Sequence, residues 1–119
     1  MKVGIDIVEI SQIPTGPSQD KFLNKYFSSK EIEYIKTKCK KEQTIAGIFA
    51  AKEAFLKALE IGIGTIKLSS VEVLHKTSGA PYINLTEEIL NYLKPLNLTN
   101  IEISISHAKD YAVAICNLS

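Results

Sequence analysis

Four side chains in this sequence have the types and settings that chemistry asks for: Asp6, Glu53, Lys57 and His107. Asp6 breaks the apolar run Val3-Gly4-Ile5-Asp6-Ile7-Val8. A carboxylate flanked there by isoleucines is poorly placed for water and survives most easily if a cation or hydrogen-bond donors meet it. Glu53 and Lys57 stand four apart in TIAGIFAAKEAFLKALE, residues 44–60, acid before base, and so share a helix face. With Lys52 they are the charges on a helix otherwise apolar almost all round, and an unpaired buried charge is very costly, so they need partners. His107 ends an alternating run beside a turn. Each has a plain structural alternative: a capped strand-end aspartate, an ordinary helix salt bridge, a histidine bonding the turn backbone. Lys52 projects into the apolar arc and is expected in a structural ion pair, within the chain or across a subunit interface. Glu9 falls on the strand face opposite Asp6 and suits a supporting role or a subunit contact.

The elements that position these residues follow from periodicity. Ile45, Ile48, Phe49, Phe55, Leu56 and Leu59 form one broad face of the 44–60 helix, and Gly47, Ala51, Ala54 and Ala58 an opposite stripe small enough for another backbone to come close. Residues 2–10 read as a strand apolar on both faces, hence central in a sheet. Pro14, Gly16 and Pro17 turn the chain, a short helix follows over 20–27, and a second, capped by Ser29, runs to about residue 38. The Gly62-Ile63-Gly64 segment reads as a helix stop, or as bare backbone against which a ligand lies. Strands are expected over 70–76 and 82–85, a helix capped by Thr86 over 86–93, and strands over 101–107 and 111–116. The order predicts one α+β domain over residues 1–119, a mostly antiparallel sheet packed on one long central helix.

Composition narrows the function. The 119 residues carry a net charge of +1, and no basic tract is long enough to track a nucleic-acid backbone. All 14 basic residues are lysine, so phosphates must be met by ammonium groups, backbone N–H groups or metal rather than by guanidinium forks. Lys36, Lys38, Lys40 and Lys41 read as a solvated helix end, or a surface for an acidic partner. Cys39 and Cys116 form no metal-ligand spacing and read as reduced thiols, His75 reads as a surface residue, and residues 1–10 are neither a signal peptide nor a membrane span. A cytoplasmic protein is expected. A chain this short makes only a shallow site by itself, which favours sites shared between copies.

Three separated blocks, GIDIVEI at 4–10, FAAKEAFLKA at 49–58 and ISISHAKDYAVA at 103–114, resemble the signature regions of holo-acyl-carrier-protein synthases, the small phosphopantetheinyl transferases of bacterial fatty-acid synthesis. GIG at 62–64 and GAPY at 79–82 resemble weaker markers of the family. The resemblance implies transfer of 4'-phosphopantetheine from coenzyme A to a serine of an acyl carrier protein, releasing adenosine 3',5'-bisphosphate. It implies magnesium on Asp6 and Glu53, Lys57 beside the phosphates, His107 and the Gly62 and Gly64 backbone at the nucleotide or phosphates, and Lys21 and Lys25 as the carrier-protein docking face. The serine proton would go to Glu53, to Asp6 through a metal-bound water, or to water. A homotrimer with each site between two subunits is also implied.

Members of the family often have arginine where Ile48 stands and a basic residue near Gln12 that faces the carrier protein; this chain has neither, so phosphate binding here leans on Lys57, other lysines and the GIG backbone. Two rival readings are a non-catalytic carrier-protein binding module and a metal-dependent nuclease. The nuclease is disfavoured because the Glu53–Lys57 spacing is helical and no basic groove is apparent.

Overall fold

In the computed structural model, residues 1–62 and 64–119 are described. The chain forms β1 (Lys2–Glu9), α1 (Pro17–Tyr26), α2 (Ser29–Lys36), α3 (Lys41–Leu59), β2 (Val73–His75), β3 (Pro81–Ile83), α4 (Glu87–Leu93), β4 (Ile101–His107) and β5 (Tyr111–Leu118). β1, β5 and β4 make an antiparallel sheet in that order, and β2 and β3 pair as a separate antiparallel ribbon. The α+β expectation of antiparallel strands on one long helix holds.

α3 begins three residues earlier than the expected 44–60 helix, because Lys41, Glu42 and Gln43 are good helix formers that need no burial. Ile45, Phe55 and Leu56 are almost wholly buried. α1 and the residue that follows it add an aromatic cluster, with Phe22, Tyr26 and Phe27 around Phe49 at centroid distances of 5.4, 5.9 and 6.4 Å. The other side of α3 lies on the sheet, and there small residues set the spacing.

Several local expectations are corrected. β1 is an edge strand, not a central one: its even residues face α3, whereas Val3, Ile5 and Ile7 are exposed on the far face. An apolar pattern on both faces does not reveal that one face lacks a cover within the chain. The α2 cap is Ser28, whose hydroxyl accepts from Glu31 N while the Glu31 carboxylate accepts from Ser28 N. Pro17 opens α1 at a position where its missing N–H costs nothing, so that helix starts inside the expected turn. α3 stops on Glu60, left-handed at φ 61°, before either glycine; Ile63, the middle of the GIG segment, lies outside the described residues.

The strand expected over 70–76 shrinks to Val73–His75 for a physical reason. Lys52 is fully buried, and its ammonium donates to Glu31 Oε1 at 2.6 Å and to the carbonyls of Leu68 and Val71, each at 2.8 Å. Glu31 Oε2 accepts from Val73 N at 2.8 Å. The pair bends residues 68–71 around the lysine instead of releasing them to a ladder. The Lys52 partner is therefore in the same chain, and the cross-subunit alternative falls.

Gly4 faces α3 so closely that a Cβ there would lie 2.0 Å from the Ala54 carbonyl oxygen and 2.5 Å from Ala58 N. Both are backbone atoms that cannot swing aside. Gly4→Ala is expected to lower stability by about 3 kcal/mol, the upper part of the overpacking range. Urea unfolding measures this, and a midpoint equal to the parent's would contradict so close an approach.

Candidate active site

β1 runs antiparallel to the end of α3, and successive inward residues meet successive turns. Lys2 pairs with Glu60 at 2.7 Å, Gly4 lies on Ala54 and Ala58, and Asp6 accepts from the Lys57 ammonium at 2.8 Å. The expected Glu53–Lys57 helix salt bridge is not the one formed. Lys57 reaches across to the strand, and Glu53, 8% exposed, makes no hydrogen bond or ion pair to a described residue. Burial pushes the Glu53 carboxyl above the usual range, the charge of Asp6 pushes the same way, and Lys57 partly opposes both.

This donor set suits a hard divalent cation. Two carboxylates are brought near enough for their charges to repel, and Glu53 has no hydrogen-bond donor among the described residues. No cluster of three or more His, Cys, Asp or Glu forms among the described residues. A cation here would have two protein carboxylates at most and would take its other oxygens from water or a ligand, which is how magnesium is usually held.

His107 lies elsewhere. Its ring covers Gly47 near the start of α3, where a Cβ would sit 2.6 Å from Nε2. β5 separates β4 from β1, and Asp6 is level with Ile105, two residues short of His107, so His107 and Asp6 stand on opposite edges about 12 Å apart. Around His107 are two hollows, one bordered by Lys40, Lys41 and Lys109 and the other by Tyr34, Ile48, His75 and Gly79. Within one chain the structure thus joins Asp6, Glu53 and Lys57 and leaves His107 apart.

The sequence reads Lys40 and Lys41 as a solvated helix end or a surface for an acidic partner. Lys40 is exposed at the start of α3, Lys109 lies in the turn between β4 and β5, and the fold brings the three to one rim, which no spacing in the sequence signals. His75, read as a surface residue, is half-buried and stacked on Tyr34 with centroids 3.9 Å apart and planes 4° from parallel. Burial and the Lys38 charge depress its basicity. Ile48 is buried beside this stack, and Gln12 is exposed in the turn after β1. Gly62 and Gly64 are exposed, and Gly64 takes φ +98°, which favours glycine whatever else the loop does. Lys21 and Lys25 are exposed on α1, the latter bordering a hollow with Gly64 and Lys67.

Comparison with known proteins places the chain in a class. The sequence profile of the 4'-phosphopantetheinyl transferase superfamily matches residues 2–116, and the chain belongs to that family. Within it the chain is similar to the holo-[acyl-carrier-protein] synthases of Caldicellulosiruptor saccharolyticus, 42% identical over 94% of this chain and 90% of the relative, and of Fusobacterium nucleatum, 39% identical over 95% and 93%. The crystal structure of the Helicobacter pylori holo-[acyl-carrier-protein] synthase in complex with coenzyme A superposes with a TM-score of 0.85 at 36% identity, covering 98% of this chain and 99% of that one. A Bacillus anthracis synthase in complex with CoA (3',5'-ADP) gives 0.79 at 32% identity, covering 98% and 94%.

The contact between His107 and Gly47 is open to a direct check. Gly47→Ala adds a methyl where Nε2 and Ile105 Cγ2 stand, and both are side-chain atoms able to move. Higher helix propensity returns up to about 1 kcal/mol, so net stability is expected to stay within about 1 kcal/mol of the parent. The His107 imidazole resonances are expected to shift in proton NMR; an unchanged spectrum would show that the ring does not rest on Gly47.

Proposed function

We propose that this protein transfers 4'-phosphopantetheine from coenzyme A to a serine hydroxyl of apo acyl carrier protein, releasing adenosine 3',5'-bisphosphate, as a step that serves fatty-acid biosynthesis. The observation that carries the reading is the meeting of Asp6, Glu53 and Lys57 at the β1–α3 contact, in a chain that superposes on a synthase bound to coenzyme A. On this reading residues 1–119 form one transferase domain acting in the cytoplasm, consistent with the lack of any helix long and apolar enough to cross a membrane among the described residues.

Attack on a diphosphate builds negative charge on the transferred and the leaving phosphate. Asp6 and Glu53 would hold magnesium, which when bound supplies charge neutralisation at the diphosphate oxygens. Lys57, its side chain 56% exposed, has the freedom to turn its ammonium from Asp6 to the leaving phosphate and stabilise it there. Lys40, Lys41, Lys109 and His107 border a hollow of about 690 Å³, where ammonium groups and an imidazole would meet the remaining phosphate and the nucleotide. The Gly62 and Gly64 backbone is proposed to lie along the ligand. Lys21 and Lys25 offer cations to an acidic carrier protein.

A homotrimer with sites between subunits fits two features. Val3, Ile5, Ile7, Tyr111 and Ile115 expose an apolar patch on the sheet face away from α3, which a partner would cover. The separation of His107 from the carboxylates also suits a ligand that touches one group on each of two copies.

Apo acyl carrier protein incubated with this protein, coenzyme A and magnesium is expected to gain the mass of one phosphopantetheine. Asp6→Asn or Glu53→Gln is expected to cut the rate by at least about a hundredfold, as losing charge stabilisation at a reacting centre does, with the circular dichroism spectrum kept. No mass gain with the parent protein would favour the non-catalytic module, and full activity in both variants would remove the two carboxylates from the reaction. Ile5→Asp is expected to convert trimer to monomer in light scattering; a monomeric parent would remove the shared site.

A further inference from the structure

Helix spacing alone would pair Lys57 with Glu53, one turn before it and in the favoured orientation. The ammonium instead crosses to β1 and takes Asp6 Oδ1 at 2.8 Å, while Glu53 keeps its oxygens free of any described donor. The Asp6 side chain is 14% exposed and the Lys57 side chain 56%. So the carboxylate is fixed in the contact and the cation is the mobile partner. A divalent ion shared by Asp6 and Glu53 must compete with that ammonium, because two cations drawn to one carboxylate repel each other and the one already seated on Oδ1 neutralises part of its charge.

We propose that Lys57 is a latch on the metal position: in the free protein its ammonium neutralises Asp6 and holds off a bare divalent cation, and it lets go when the diphosphate arrives and offers it other oxygens. This inference rests on the transferase reading above and specifies how that site is loaded. Cation and coenzyme A then bind with positive coupling, because the diphosphate draws off the ammonium that opposes the cation. The latch is light. An ammonium–carboxylate pair this open to water contributes little, and displacing it lowers cation affinity by about two- to fivefold. It biases the order of binding without blocking the site.

Manganese titrated into the whole protein and followed by electron paramagnetic resonance tests the latch without turnover. Lys57→Met is expected to bind the ion about two- to fivefold more tightly than the parent when coenzyme A is absent. The gain in manganese affinity on adding coenzyme A is expected to be smaller in Lys57→Met than in the parent. Lys2→Met removes a neighbouring cation that pairs with Glu60 rather than Asp6, and it is expected to leave manganese affinity unchanged. Equal affinities in Lys57→Met and parent would overturn the latch, and so would an equal rise in Lys2→Met, which marks a general field effect. If the parent still modifies the carrier protein in those cases, the latch alone has failed. If the parent neither binds manganese with coenzyme A present nor modifies the carrier protein, the latch falls together with the reading beneath it.

Discussion

The candidate site depends on how closely β1 lies on α3. That distance is set by Gly4, which has no Cβ, and by the backbone of Ala54 and Ala58 on the facing stripe. Once strand and helix are in backbone contact, the next inward residue along β1 must point its side chain at the turn holding Glu53 and Lys57. Asp6 is that residue. Two carboxylates are thereby forced together in a half-dry place, at a cost visible in the raised proton affinity of Glu53. A fold does not hold like charges together for stability. Such an arrangement stores a demand for positive charge, answered by Lys57 in this structure and, on the proposed reading, by a cation once a diphosphate is bound.

α3 also shows how environment separates two lysines of one helix. Lys52 and Lys57 are five residues apart and chemically identical. Lys52 is sealed in, its three ammonium hydrogens matched to Glu31 and two carbonyls, beneath the Phe27 ring at 5.0 Å. Burial lowers its basicity and raises the Glu31 carboxyl, in each case against the pull of the partner. Such a pair is weak evidence for net stability, since desolvation consumes most of the attraction. Its structural result is specific nonetheless: it joins α2, α3, the turn at 68–71 and β2. The Lys57 ammonium makes one hydrogen bond among the described residues and its side chain is mostly in water, so it is free to exchange partners.

The sequence made α3, α4 and the β4–β5 hairpin legible because each carries a long periodic pattern or a side-chain cap. Asp6, Glu53 and Lys57 were legible as charges out of place, since an ion inside an apolar run needs a partner wherever the chain folds. The partners themselves were not legible. Local spacing offered Glu53 to Lys57, and only the strand crossing substitutes Asp6. Likewise Lys52 finds Glu31, which the sequence presents as an ordinary first-turn acid, and Tyr34 meets His75 across a separation no periodicity spans. β1 was misplaced at the sheet centre for a related reason: a face waiting for another protein surface has the same apolar residues as a face already covered.

That uncovered face bears on how so small a chain completes a site. The three-stranded sheet has one layer of cover, α3, so the patch of Val3, Ile5, Ile7 and Ile115 remains in water in a single copy. β1 and β4 are the two edges, and the candidate groups divide between them, carboxylates beside one and His107 at the other. A ligand bound by one chain alone would have to bridge about 12 Å across the sheet. If copies instead associate through the apolar face in a ring, an edge of one sheet is carried towards the opposite edge of the next. The proposed trimer then buries the patch and brings the two half-sites together in one event, so hydrophobic association and catalytic assembly would be the same interaction seen from two sides of the sheet.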